Sequence, residues 1–94
     1  PGEILHAEFM IPLKLSASIV ARGLGVAPIT VSRLIRSQRG VSPELALRLA
    51  RHLGTTPEFW IGLQGQYDLD LAQDESEARV NREVRRCPLV PVAA

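Results

Sequence analysis

Two helix starts written in one formula constrain this chain more than any other feature. Ser42-Pro43-Glu44 and Thr56-Pro57-Glu58 each set a capping hydroxyl, then a proline, then an acid. A proline at the first helical position has its φ already suited to the helix and lacks only a donor that the first turn leaves unpaired. The hydroxyl accepts an orphaned amide proton, and the acid sits at the positive end of the helix dipole. Helices are therefore predicted to begin at 43 and 57. The first of them buries Ala46, Leu49, Ala50 and Leu53, and Gly54 closes it with a left-handed turn. The second runs from 57 to about 71 and buries Phe59, Trp60, Leu63 and Tyr67.

Earlier residues carry the same kind of punctuation. Gly2 opens a first helix in which Ile4, Leu5, Glu8, Phe9 and Ile11 follow 3.6-residue spacing until Pro12 stops it. Ser16 caps a second helix, with Val20, Ala21 and Leu24 inward and Gly25 turning the chain after it. Pro28 starts a third, with Val31, Leu34 and Ile35 inward and an end near Ser37. Period-two alternation is absent, so no strand is expected. The reading is an all-α, compact five-helix bundle with loops of about 2–6 residues. Residues 1–73 form that domain. Residues 74–94 are a C-terminal helix or extended tail, in which 75–86 forms an exposed helix with Glu75/Arg79 and Arg79/Glu83 pairs, and Pro88 and Pro91 keep the rest extended.

Composition narrows the functional classes. Ninety-four residues suit one small domain, and 46% hydrophobic against 22% charged residues is a globular balance. Apolar runs are too short to span a membrane. Cys87 stands alone, and with His6 and His52 it is too little for a structural zinc site, so no disulfide, metal or cofactor is expected. The leading residues include Glu3 and Glu8 and no basic stretch, unlike a secretory leader, so a cytoplasmic protein is expected. No nucleophile sits in a motif with a recognisable base, and no acids converge on the basic segment, which argues against an enzyme. The net charge of +1 hides an asymmetry. Residues 1–66 carry seven basic against four acidic side chains, residues 67–94 four against six, and 16–40 has four arginines and no acid. A purely positive patch in a near-neutral protein is the footprint of a polyanion-binding surface.

That patch coincides with a helix-turn-helix. In segment 16–36, the small Ala21 lets a second helix cross closely, Gly25 makes the turn, and Val31 and Leu34 clamp the second helix to the core. The outward face of that helix is Pro28, Ile29, Thr30, Ser32, Arg33 and Arg36. In the major groove, Arg33 would pair with guanine O6/N7, Thr30 or Ser32 would bond bases or phosphates, and Ile29 would meet a thymine methyl. Arg36 and Arg39 are better placed for phosphates, and Ser16 and Ser18 at the start of the preceding helix complete the candidate DNA-binding set. Arg22, Arg48 and Arg51 read as solvated helix faces. Trp60, Leu63, Tyr67 and Leu71 form the candidate dimer interface, and Gly62 and Gly65 either permit close helix approach there or mark a loose helix.

The chain resembles the XRE (Cro/phage-repressor) helix-turn-helix family, and within it the HigA/VapI-type antitoxin branch. The resemblance is carried by Pro1-Gly2-Glu3-Ile4-Leu5, the helix-turn-helix from Leu15 to Ile35, Arg39-Gly40-Val41-Ser42-Pro43-Glu44, Ala46-Leu47-Arg48-Leu49-Ala50, and Thr56-Pro57-Glu58-Phe59-Trp60 through Tyr67-Asp68-Leu69. It implies a lambda-repressor-like DNA-binding fold and a homodimer on palindromic operator DNA. It also implies an antitoxin that neutralises a RelE/HigB-like mRNA-cleaving toxin and represses its own operon. A stand-alone transcriptional regulator without a toxin is the alternative. Two departures bear on the operator: Arg33 stands where the branch often has Asn, and Ser37 replaces the usual glycine of the turn. The toxin is expected to dock away from the recognition helix, on helix one (Glu3, His6, Ala7, Met10) or helix five.

Overall fold

A computed structural model describes residues 1–91; the last residues of the expected tail, 92–94, lie outside them. Among the described residues five helices follow in order: α1 (Gly2–Leu13), α2 (Ala17–Leu24), α3 (Pro28–Ile35), α4 (Pro43–Leu53) and α5 (Pro57–Glu83). No strand occurs among the described residues, and no single helix is long and apolar enough to cross a membrane.

Starts and stops obey the side chains read from the sequence. Ser16, Ser42 and Thr56 each accept an amide proton from the residue three positions on, at 3.2 Å. Four helices end with one residue in the left-handed region: Lys14 (φ 55°), Gly25 (φ 73°), Ser37 (φ 58°) and Gly54 (φ 72°). At each end the following amide reaches back five residues, as Leu15 N–H to the Met10 carbonyl (2.8 Å) and Gln38 N–H to the Arg33 carbonyl (2.8 Å). These are Schellman closures, and they satisfy carbonyls that a helix end otherwise leaves bare.

The core is Leu5, Met10, Val20, Ala21, Leu24, Val31, Leu34, Val41, Leu45, Ala46, Leu49, Ala50 and Trp60. Trp60 is its largest member, with Phe9 tilted against it at 5.8 Å between ring centroids and Phe59 edge-on at 5.1 Å. Its indole N–H donates to the Thr55 hydroxyl at 2.7 Å. Phe59, expected in the core, is 41% exposed.

Two elements differ from the sequence expectation. In α1 the stretch Leu5–Met10 is wound as a π-helix, with the Ile11 amide bonding back to His6. An i→i+5 turn puts Leu5 and Met10 on one face, so both are buried while Ile11 is 60% exposed. The expected 3.6-residue phase had Ile11 inward and Met10 outward. The wide turn ends just before Pro12, whose ring in regular winding would press on the Glu8 carbonyl. The second difference is α5, which continues unbroken past 71 and through Asp74 to Glu83. Its 27 residues span about 40 Å, and only the first turns pack on the bundle, giving overall dimensions of 53 × 23 × 22 Å.

Candidate nucleic-acid interface

Helix α3 is held from below and bare above. Val31 and Leu34 are about 1% exposed, and Ile35 is half-buried against the core. Gly2 packs directly under its C-terminal turn: a Cβ there would fall 2.7 Å from the Leu34 carbonyl carbon and 3.1 Å from the Ile35 Cα. Only a residue without a side chain lets α1 approach that backbone. At the other end, Val26 N–H bonds the Ala21 carbonyl (3.0 Å), and the turn is fixed by Gly25.

Arg48, read from sequence as a solvated side chain, has a structural task. Its Nη1 donates to the Leu24 carbonyl at 2.9 Å, while Nη2 pairs with Glu44 at 3.0 Å. It therefore ties α4 to the carbonyl end of α2, inside the turn of the helix-turn-helix. Gly23 lets α2 and α4 close together in a similar way, since a Cβ there would collide with the His52 ring.

On the free side of α3, Pro28, Ile29, Arg33 and Arg36 are exposed and Thr30 and Ser32 half-buried. Ile29 is 54% exposed, as expected for an apolar residue aimed outward. The N-cap, Ala27, makes no side-chain cap, unlike those of α2, α4 and α5; Pro28 carries no amide proton, and the Thr30 N–H bonds the Ala27 carbonyl at 3.0 Å. Among the described residues, Arg33, Arg36 and Arg39 form no ion pair with a carboxylate. Thr30 and Arg39 share one shallow groove with Ser42 and Arg48. Glu44 also borders it, so the basic surface has an acid nearby in space that the 16–40 segment lacks in sequence, and Arg48 neutralises it. Ser16 and Ser18 are exposed on the first turn of α2; Ser16 accepts from Ile19 and keeps its own proton free to donate.

Gln64 escaped the sequence reading. Its Oε1 accepts the Val41 N–H at 2.8 Å, and its Nε2 donates to Asp68 at 2.9 Å, pinning the loop after α3 to α5. A glutamine inside an amphipathic helix carries no local signal of a partner 23 residues earlier. Of the candidate dimer residues, Trp60 has no accessible surface and cannot face a second chain; Leu63 and Tyr67 are half-buried and Leu71 is exposed. No atom lies within 4 Å of a Cβ built on Gly62 or Gly65, so neither serves close packing within the chain.

Comparison with known proteins agrees with this geometry. A family model described as Helix-turn-helix matches residues 7–60. Virulence-associated protein I of Dichelobacter nodosus is 38% identical over 78 residues, covering 83% of this chain and 72% of that protein. The solved structure of Pseudomonas aeruginosa antitoxin HigA with higBA promoter superposes with a TM-score of 0.89 at 38% identity, covering 96% of both chains. That of antitoxin GraA in complex with its operator gives 0.88 at 45% identity, covering 93% of this chain and 88% of the other. With a helix-turn-helix built as the residues require, and with these likenesses along nearly its whole length, the chain belongs to the XRE helix-turn-helix family, in its HigA-type antitoxin branch.

Proposed function

We propose that this protein is the antitoxin of a type II toxin–antitoxin pair, which binds palindromic operator DNA as a homodimer and represses its own operon. The observation that carries the reading is α3: a helix with a bare outward face and arginines that pair with no carboxylate among the described residues, in a chain 45% identical to an antitoxin solved on its operator. Helix α3 enters the major groove, where Arg33 reads a guanine and Thr30, Ser32 and Ile29 fill the adjoining positions. Pro28 begins the contact, and Arg36, Arg39, Ser16 and Ser18 hold phosphates. Dimerisation uses the α5 face bearing Leu63, Tyr67 and Leu71, with Gly62 and Gly65 leaving room for a partner helix, and sets two half-sites about one helical turn apart. The toxin, of the mRNA-cleaving RelE/HigB kind, docks on α1 away from the DNA. Met10 is buried and drops out of that surface; Glu3, His6 and Ala7 stay exposed, joined by Ile11 and Leu13. The protein acts in the cytoplasm, where its operator is.

Arg33→Ala is the direct test. On a duplex taken from immediately upstream of the gene it is expected to cost about 1–3 kcal/mol of binding and to relax base preference at one position per half-site. Unchanged affinity in a fluorescence titration would refute the docking register. Co-expression with the adjacent small open reading frame separates the antitoxin from a lone regulator: growth arrest rescued by this protein is the expected result.

A further inference from the structure

One peptide unit in the loop after α3 is gripped at both ends. Its N–H, on the buried Val41, donates to Gln64 Oε1 at 2.8 Å. Its carbonyl, on Gly40, accepts from Arg39 Nε at 3.2 Å. Gln64 therefore sets the plane of the peptide on which the Arg39 guanidinium rests. Asp68 decides which way the Gln64 amide points. A carboxylate only accepts, so the amide nitrogen turns to Asp68 at 2.9 Å and the oxygen is left for Val41. Gly40 is matched to this arrangement. Its φ is not positive, so no backbone demand selects glycine, but a Cβ there would meet the Gln64 amide carbon at 2.9 Å.

We infer that Gln64, oriented by Asp68, is a positioning residue for DNA binding: it aims the Gly40–Val41 peptide, and with it the Arg39 guanidinium, at the phosphate backbone while touching no nucleic acid itself. The inference rests on the DNA-binding reading above. It makes α5, the helix assigned to dimerisation, the setter of a phosphate contact at the far end of the recognition element. Phosphate contacts fix register on the duplex, so a loosened Arg39 costs affinity on any sequence.

The experiment measures binding against salt concentration on two probes, the upstream duplex and a mixed-sequence duplex of equal length. The proteins are wild type, Arg39→Ala, Gln64→Met, Gln64→Met with Arg39→Ala, and the exchange Gln64→Glu with Asp68→Asn. Each phosphate contact contributes about 0.9 to the slope of log K against log salt. Gln64→Met is expected to flatten that slope by about 0.9 per protomer on both probes, as Arg39→Ala does. The double variant is expected to lose no more than either alone. The exchange pair keeps the net charge and rebuilds both hydrogen bonds: residue 64 still accepts from the Val41 N–H, and donor and acceptor are swapped only between 64 and 68, so it restores the wild-type slope. A merely structural Gln64 would lower the melting temperature and leave the slope unchanged, or add its loss to that of Arg39→Ala; either result overturns the inference. Should Gln64→Met not fold, a wild-type slope in the exchange pair against a flattened one in Gly40→Ala carries the same decision. A wild type that binds neither duplex overturns the DNA-binding reading itself, whereas binding with Gln64 variants unaffected overturns only this inference.

Discussion

Ser37 leaves the recognition helix with φ at 58°, a conformation that costs an L residue about 1–2 kcal/mol and glycine almost nothing. Part of that difference is returned because glycine has more freedom to lose on folding. Ser37→Gly is therefore expected to stabilise the protein by about 0.5–1 kcal/mol, raising the thermal midpoint by roughly 2–8 °C on a calorimetric scan. Lys14→Gly, at φ 55°, should behave alike, which makes it a control for the position rather than the neighbourhood. At this scale the sequence was informative wherever a residue's chemistry acts locally. Ser16, Ser42 and Thr56 cap, Pro28, Pro43 and Pro57 start, and Gly25 and Gly54 stop, each through bonds within a few residues. Gln64 and Arg48 were illegible because their partners, Val41 and Leu24, lie 23 and 24 residues away in sequence.

At the scale of elements, Arg48 makes bonds of unequal weight, one within α4 to Glu44 and the others to the end of α2. The pair with Glu44 is solvent-exposed, with side chains 41% and 76% accessible, and such pairs are worth about 0–1 kcal/mol. The bond to the Leu24 carbonyl supplies a charged donor to a part-buried helix end, worth about 1–2 kcal/mol with its partial exposure allowed for. Arg48→Met is accordingly expected to lower unfolding free energy by about 1–2 kcal/mol in urea titrations, and Glu44→Gln by less than about half of that. Equal losses would mean that the ion pair, not the tie to α2, holds the turn. The element reading failed where winding or length departed from the default. In α1 the π-turn shifts phase by one residue and exchanges Met10 for Ile11 in the core. In α5, Gly62, Gly65 and the polar run after Tyr67 weakened the apolar stripe, yet the helix persists because nothing from 57 to 83 forbids helical φ and ψ, and Gln66–Asp70 and Arg79–Glu83 contacts support its exposed face.

The whole molecule divides into a packed bundle and a projecting rod. Every buried core residue lies at or before Trp60, and every described residue from 68 onward is exposed except Ser76, which is half-buried. Removing residues 75–94 is therefore expected to leave the bundle folded, with a cooperative thermal transition within a few degrees of the full chain. Light scattering on the same truncated protein reads the assembly: a retained dimer places the interface on the first half of α5, and a monomer moves it to the rod.

The wide turn in α1 has a meaning at the level of the gene: it is a spare codon. Deleting the codon of His6, Ala7 or Glu8 closes the turn into regular winding and returns Leu5 and Met10 to a four-residue spacing. The same deletion inside α2, α3 or α4 turns every later side chain of that helix by about 100° away from its place. Length variation in this bundle has one cheap address, and it lies in the first helix.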